Sequence, residues 1–213
     1  SLISASWFQK DLKNPIEYVQ KLATFNFTTA GNYPEGSLTG FEFEVRQSLG
    51  HFVDDLEGLS VGANATFINS EVRLPDDEFA ALSLPNVLAA ERTRDMTNAP
   101  EHLFNFYLTY DVPDTGTQFG LFYTIRGDTL IAGSGEALGN YVPSIYQTEF
   151  GTLNFSASQQ LGETFRIQFQ AKNLTNEKNE EVYRSKFIGD DVLRRSNTSG
   201  VEFSLTLSGE FRF

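Results

Sequence analysis

Gly200-Val201-Glu202-Phe203-Ser204-Leu205-Thr206-Leu207-Ser208-Gly209-Glu210-Phe211-Arg212-Phe213 is the stretch from which the fold is read. Val201, Phe203, Leu205, Leu207, Phe211 and Phe213 share one side of an extended chain, and Glu202, Ser204, Thr206, Ser208, Glu210 and Arg212 share the other. Successive strand residues point to opposite faces, so a two-residue period describes a strand with one apolar and one polar face. Upstream the period returns. Phe165, Ile167, Phe169 and Ala171 alternate with Arg166, Gln168, Gln170 and Lys172; Phe41, Phe43 and Val45 with Glu42, Glu44 and Arg46; and Leu59, Val61, Ala63, Ala65 and Phe67 with Ser60, Gly62, Asn64 and Thr66. Residues 103–111 and 117–127 carry Phe104, Phe106, Leu108 and Tyr110, then Phe119, Leu121, Tyr123 and Ile125. Fainter stretches at 2–10 and 149–161 complete eight expected strands.

Composition agrees with an all-β chain. Among 213 residues there are 20 Phe, 8 Tyr and 1 Trp, side chains that suit pleated strands, while Met occurs once. A formal charge of -12 argues against a nucleic-acid partner, which a basic face would meet. With no Cys there is no disulfide frame and no thiolate chemistry. No window offers the roughly 18 apolar residues of a spanning helix. A transmembrane barrel passes that test, because its strands cross lipid on short alternating segments.

Between the strands, short turns near 50–57, 112–116 and 161–163 alternate with long connections at 11–36, 70–101, 128–147 and 176–198. Such lengths are uncommon in compact soluble domains. A transmembrane barrel predicts them, with short turns on one rim and long loops on the other. A soluble β-sandwich with the same alternation stays open as an alternative, as does a self-contained eight-stranded outer-membrane barrel with a structural or adhesive role, which requires residues 1–10 to pair with 200–213.

The C-terminal stretch resembles the closing strand of an outer-membrane barrel. Ala171-Lys172-Asn173-Leu174-Thr175-Asn176-Glu177 resembles an element that precedes the last long loop of TonB-dependent receptors. Residues Asn32 to Glu42, Leu59 to Phe67 and Ala99 to Asn105 are similar to further elements of that family, in order, across the whole chain. The resemblance implies an antiparallel transmembrane β-barrel of about 22 strands with a plugged lumen, of which residues 1–213 supply the last eight. It places the earlier strands, the plug and the TonB-contacting box N-terminal to Ser1. It implies energy-coupled import, not catalysis, across the outer membrane of a Gram-negative bacterium, for a scarce nutrient such as an iron-siderophore chelate, vitamin B12 or a glycan. The implied partners are outer-membrane lipid and lipopolysaccharide, the remaining barrel and plug, TonB through that plug, the nutrient ligand, and the barrel assembly machinery. The last would read Phe203, Leu205, Leu207, Phe211 and Phe213. Tyr110, Phe119, Phe165, Phe211 and Phe213 are then expected near the periplasmic boundary, and Phe41, Phe67 and Phe104 near the outer one.

Ligand contacts are expected in the long connections, where Tyr33, Tyr141, Tyr146, Tyr183, Arg184, Arg194 and Arg195 offer rings and guanidinium groups. No catalytic set, cofactor motif or metal spacing emerges. His51 and His102 lack a second His or a Cys, and the acidic runs Asp76-Asp77-Glu78 and Asp190-Asp191 read as solvated. Gly133-Ser134-Gly135-Glu136-Ala137-Leu138-Gly139 misses the spacing of a phosphate loop and is expected to be a flexible extracellular loop. A short helix is expected at residues 77–82. Sequons at Asn26, Asn64, Asn154, Asn173 and Asn197 read as chance on polar faces.

Overall fold

The computed structural model describes residues 1–22, 25–84, 91–137, 139–187 and 189–211. Phe213, and with it the end of the assembly signal, lies outside the described residues. Strand β1 (Leu2–Lys13) leads into the hairpin β2 (Ile16–Leu22) and β3 (Asn26–Asn32). Then β4 (Glu35–Ser48) reaches β5 (Leu59–Arg73) through two single 3-10 turns. Helix α1 (Asp76–Leu82) and the short β6 (Thr93–Arg94) precede β7 (His102–Val112) and β8 (Thr117–Arg126). Four short strands follow: β9 (Thr129–Ala132), β10 (Gly135–Ala137), β11 (Asn140–Val142) and β12 (Ser144–Gln147). The chain ends with β13 (Phe150–Leu161), β14 (Phe165–Lys172), β15 (Asn179–Arg184), β16 (Val192–Asn197) and β17 (Glu202–Gly209).

Eight of these strands form one antiparallel wall in the order β1-β4-β5-β7-β8-β13-β14-β17, with β6 beside β5. They are the eight stretches expected from alternation. Their register stacks the apolar positions into rows across the wall. One runs Ile3-Val45-Ala63-Phe106-Tyr123-Leu153, and another Tyr110-Phe119-Ala157-Phe169-Leu205. This face stays exposed: Ile3 is 85% accessible, Leu205 70% and Phe203 64%. A β-sandwich buries such a face against a second sheet. The exposed apolar face therefore contradicts the sandwich alternative.

Phe67 meets Phe104 edge to face at 5.4 Å toward the rim of the long connections, and Phe165 meets Phe211 at 5.9 Å near the short turns. On the opposite face, Glu44, Asn64, Asn105 and Thr124 form a polar row. Within it Asn105 donates to Asn64 and Thr124 donates to Asn105, each at 2.8 Å. Among the described residues β1 pairs only with β4 in the wall, and β17 only with β14. The wall is thus open, and the self-closed eight-stranded barrel, which needed those two strands to meet, is not formed.

Short turns join β4 to β5, β7 to β8 and β13 to β14 on one rim. Asp114 and Gly116 adopt φ of 59° and 68°, a left-handed conformation that Asp and Gly tolerate at tight turns. Strands β4 and β5, at 14 and 15 residues, exceed the 9–11 that cross a bilayer.

The element that resembled a receptor motif works as a clip. Asn173 takes φ 56° and ends β14, its amide N–H donating to Asn154 Oδ1 at 3.0 Å. The chain then crosses β13, where Leu174 N–H donates to the Leu153 carbonyl at 2.7 Å. Gly151 is held from both sides: the Thr175 hydroxyl donates to its carbonyl at 2.9 Å, and its N–H donates to Glu177 at 2.7 Å.

The long connections depart most from expectation. The described residues within 14–34, 74–101, 127–149 and 173–201 include short strands and one helix. The stretch expected to be a flexible loop at 133–139 contains β10, which pairs with β11. Buried apolar side chains concentrate in this layer: Val19, Tyr33, Leu74, Leu82, Met96, Leu130, Val142, Ile145 and Val182.

Candidate functional site

Strands β16, β15, β12 and β9 form a four-stranded sheet that ties the last two long connections together. The β2–β3 hairpin docks on it through Gly133. Gly133 N–H donates to the Tyr18 carbonyl at 2.8 Å, and Gln20 N–H donates to the Gly133 carbonyl at 2.9 Å. Gly135 is required by proximity to backbone, and Gly133 leaves room for the Arg94 side chain. A Cβ on Gly133 would lie 2.4 Å from Arg94 Nε, and one on Gly135 only 1.8 Å from the Gln20 carbonyl oxygen. The Gly-Ser-Gly sequence thus packs one backbone onto another.

Arg94 sits where three connections meet. Its Nη1 donates to Glu17 Oε2 at 2.8 Å and to the Asp95 carbonyl at 2.8 Å, and its guanidinium lies 4.8 Å from the Tyr33 ring centre. Glu17 is 1% exposed and also accepts the Thr97 N–H at 2.9 Å. A charge so buried is tolerated only when paired and hydrogen-bonded. Tyr33 donates to Glu78 on α1 at 2.5 Å. Burial pushes the Tyr33 hydroxyl and the Glu78 carboxyl above their ordinary values. Buried side-chain atoms without a partner among the described residues are Glu17 Oε1, Glu78 Oε1, Arg94 Nε and Thr97 Oγ1, all in this cluster. The cluster is the most demanding packing in the outer layer, and it fixes α1, β2 and β6 relative to one another.

Beside it lies a cavity of about 210 Å³. Its wall comes from three connections: Leu74, Leu82, Glu91, Thr93 and Arg94; Leu130, Ser134, Tyr141, Ser144 and Tyr146; and Arg184, Ser185 and Lys186. Tyr146 donates to Asp95 at 3.3 Å, and its hydroxyl is pushed up to about 12 by burial and by Asp95. The Arg184 guanidinium stacks 4.5 Å over the Tyr146 ring and pairs with Asp128 and Asp191, each at 2.7 Å. Tyr141 meets Phe187 edge to face at 5.2 Å, and Lys186 pairs with Glu91 at 3.1 Å. The lining combines rings, hydroxyls and cations, a surface suited to a small polar or anionic group.

Of the residues expected to contact ligand, Tyr141, Tyr146 and Arg184 come together on this cavity. Tyr33 is buried beneath it, bound to Glu78. Tyr183 lies between Ile145 and Val192 in the four-stranded sheet. Arg194 and Arg195 both pair with Glu181, because a bulge opposite Glu181 and Val182 lets two successive residues reach one carboxylate. Arg94, Lys186, Ser134 and Ser144 escaped the sequence reading. No local pattern marks them, since their neighbours in space lie up to 95 residues away in the chain.

A profile of the family described as TonB dependent receptor-like, beta-barrel matches residues 1–174. The chain belongs to that family, which comprises receptors of the Gram-negative outer membrane and not enzymes. No described helix is long and apolar enough to cross a membrane, a criterion that does not bear on strands. Among solved structures, the ferric enterobactin receptor of Pseudomonas aeruginosa is similar in two variant forms. One, in complex with enterobactin, has a TM-score of 0.60 at 14% identity, covering 98% of this chain and 29% of that chain. The other has a TM-score of 0.60 at 15% identity with the same coverage. The likeness is one of fold, and the chain spans about 29% of the length of those receptors. None of the curated proteins matches the chain.

Proposed function

We propose, from membership of the TonB-dependent receptor barrel family, that this chain is the C-terminal part of an outer-membrane receptor that imports a scarce nutrient of iron-siderophore type by TonB-dependent transport. Residues 1–213 supply eight wall strands. Further strands and a plug that contacts TonB come from sequence N-terminal to Ser1. The apolar face meets membrane lipid, the outer layer meets lipopolysaccharide, and the last strand is read by the assembly machinery through Phe203, Leu205, Leu207, Phe211 and Phe213.

One observation carries the reading. All four long connections leave the wall at the same rim, and three of them enclose the cavity between Tyr141, Tyr146, Arg94, Arg184 and Lys186. Binding groups held on connections above a rigid wall are the usual architecture of recognition. The solved relatives named as ferric enterobactin receptors support the ligand class. Of the seven residues singled out from sequence, Tyr141, Tyr146 and Arg184 are the ligand contacts retained in this proposal.

Uptake of iron-55 chelates by cells carrying the parent receptor tests it. Uptake is expected to need intact TonB and to fall when Tyr141→Ala or Lys186→Glu is introduced. Uptake that ignores TonB, or is indifferent to both substitutions, overturns the proposal.

A further inference from the structure

Arg184 holds two carboxylates that differ in how they are themselves held. Asp128 is part of the frame: its Oδ1 accepts the Glu149 N–H at 2.8 Å while its Oδ2 takes Arg184 Nη2 at 2.7 Å. Asp191, by contrast, has Arg184 as its only hydrogen-bonding partner among the described side chains. It spans the guanidinium edge with both oxygens, at 3.0 and 3.1 Å from Nε and 2.7 Å from Nη2. It stands on the segment linking β15 to β16, about a third exposed. Arg184 meanwhile is one of the residues lining the cavity, and its guanidinium lies 4.5 Å over the ring of Tyr146, another of them.

We propose that Arg184 is the anion-reading group of the cavity and that Asp191 is an internal stand-in, which a ligand carboxylate displaces from the Nε–Nη2 edge. The proposal rests on the reading of this cavity as the ligand site and names the chemistry it selects. A planar anion with two oxygens matches the fork of a guanidinium bidentately. Exchanging one carboxylate for another leaves the charge of the hub unchanged, so no buried charge is left unpaired at any stage. Asp128 stays in place and keeps Arg184 aimed. Arg94 is no competitor for this role, because its Nη1 is engaged by Glu17.

The device also sets selectivity. A neutral ligand of the same shape gains nothing by displacing Asp191, so the internal carboxylate acts as a threshold that only an anion passes.

Succinate, with succinamide as its uncharged counterpart, serves as the probe in calorimetric titration of the purified parent receptor. Asp191→Asn is expected to bind succinate about tenfold tighter than the parent, a change of about 1.4 kcal/mol. Asp191→Glu is expected to restore parental affinity, Arg184→Gln to abolish binding, and succinamide to bind none of them. Asp191→Ser provides the same readout should the Asn variant fail to fold, with heat-dependent gel mobility reporting on folding. Equal or weaker succinate binding by the folded Asp191 variants overturns the proposal, as does absence of succinate binding throughout. In either case the cavity reading is judged separately: a fall in chelate uptake with Tyr141→Ala leaves it standing while the Arg184–Asp191 exchange is discarded.

Discussion

The wall and the outer layer are built from the same strands-and-turns vocabulary, yet they are stabilised in opposite ways. In the wall the large apolar groups stay exposed, and of the buried apolar side chains among the described residues only Val72 and Ala171 lie there. In the outer layer, strands of two to seven residues enclose a buried core and an ion pair that is 1% exposed on its Glu17 side. In the proposed receptor the wall depends on lipid and further strands, because open sheet edges and apolar faces need partners. The outer layer depends on its own packing. The difference separates two kinds of substitution: those that act through the medium and those that act through internal geometry.

The largest effect is expected inside the outer layer. Arg94→Ala leaves the Glu17 carboxylate buried without its cation, a loss of about 3–5 kcal/mol for a pair of this kind. Limited proteolysis should then cut residues 14–34 and 74–101 while the wall keeps its heat-dependent gel mobility. If wall and outer layer are lost together, the two regions are not separable. Next comes the wall. Leu205→Arg places a charge on the lipid face and is expected to cost about 2–4 kcal/mol near the midplane, whereas Gln168→Arg on the polar face should cost far less. Equal losses, measured by denaturant titration in vesicles, would reverse the assignment of faces.

Gly135→Ala sharpens the contrast further. Its Cβ would press on backbone, the Gln20 carbonyl at 1.8 Å, and overpacking of this sort costs about 1–3 kcal/mol. Amide exchange should quicken in β2 and β10 but not in β4 or β5. The smallest effect is a pH dependence. Glu78 has its carboxyl raised by burial, so the folded layer takes up this proton more readily than the unfolded chain. Its contribution is full at low pH and declines as pH rises through the raised value. Asp191, held below the carboxylate range by its hydrogen bonds to Arg184, acts in the opposite sense and loses its contribution as pH falls. Glu78→Gln should remove the first dependence and leave the second, as read from amide exchange in α1 and β15 across pH.

Legibility followed the period of the pattern. Phe203, Leu205 and Leu207 announce a strand because each two-residue step repeats the same choice of face, and the wall consists of such repeats. In the outer layer β10 has three residues, too few for a period to register, and its partners are set by tertiary contacts. Tyr33 shows the consequence. Placed in a long connection it reads as a ring offered to ligand, yet it is buried against Arg94 and Glu78, residues 61 and 45 positions away. Arg184, by contrast, was visible as a cation in a long connection, but its two carboxylate partners were not, since Asp128 lies 56 residues earlier.

Height is what the overlong strands contribute. In the proposed receptor, a strand of 15 residues rising about 3.4 Å each and tilted by about 45° climbs about 36 Å, against an apolar band about 25 Å tall. Roughly 10 Å of wall then stands clear of the hydrocarbon. The cavity is carried on that parapet, above the level of the acyl chains. A captured solute then passes the level of Phe67 and Phe104 before it reaches the Glu44-Asn64-Asn105-Thr124 row, which lies nearer the short turns.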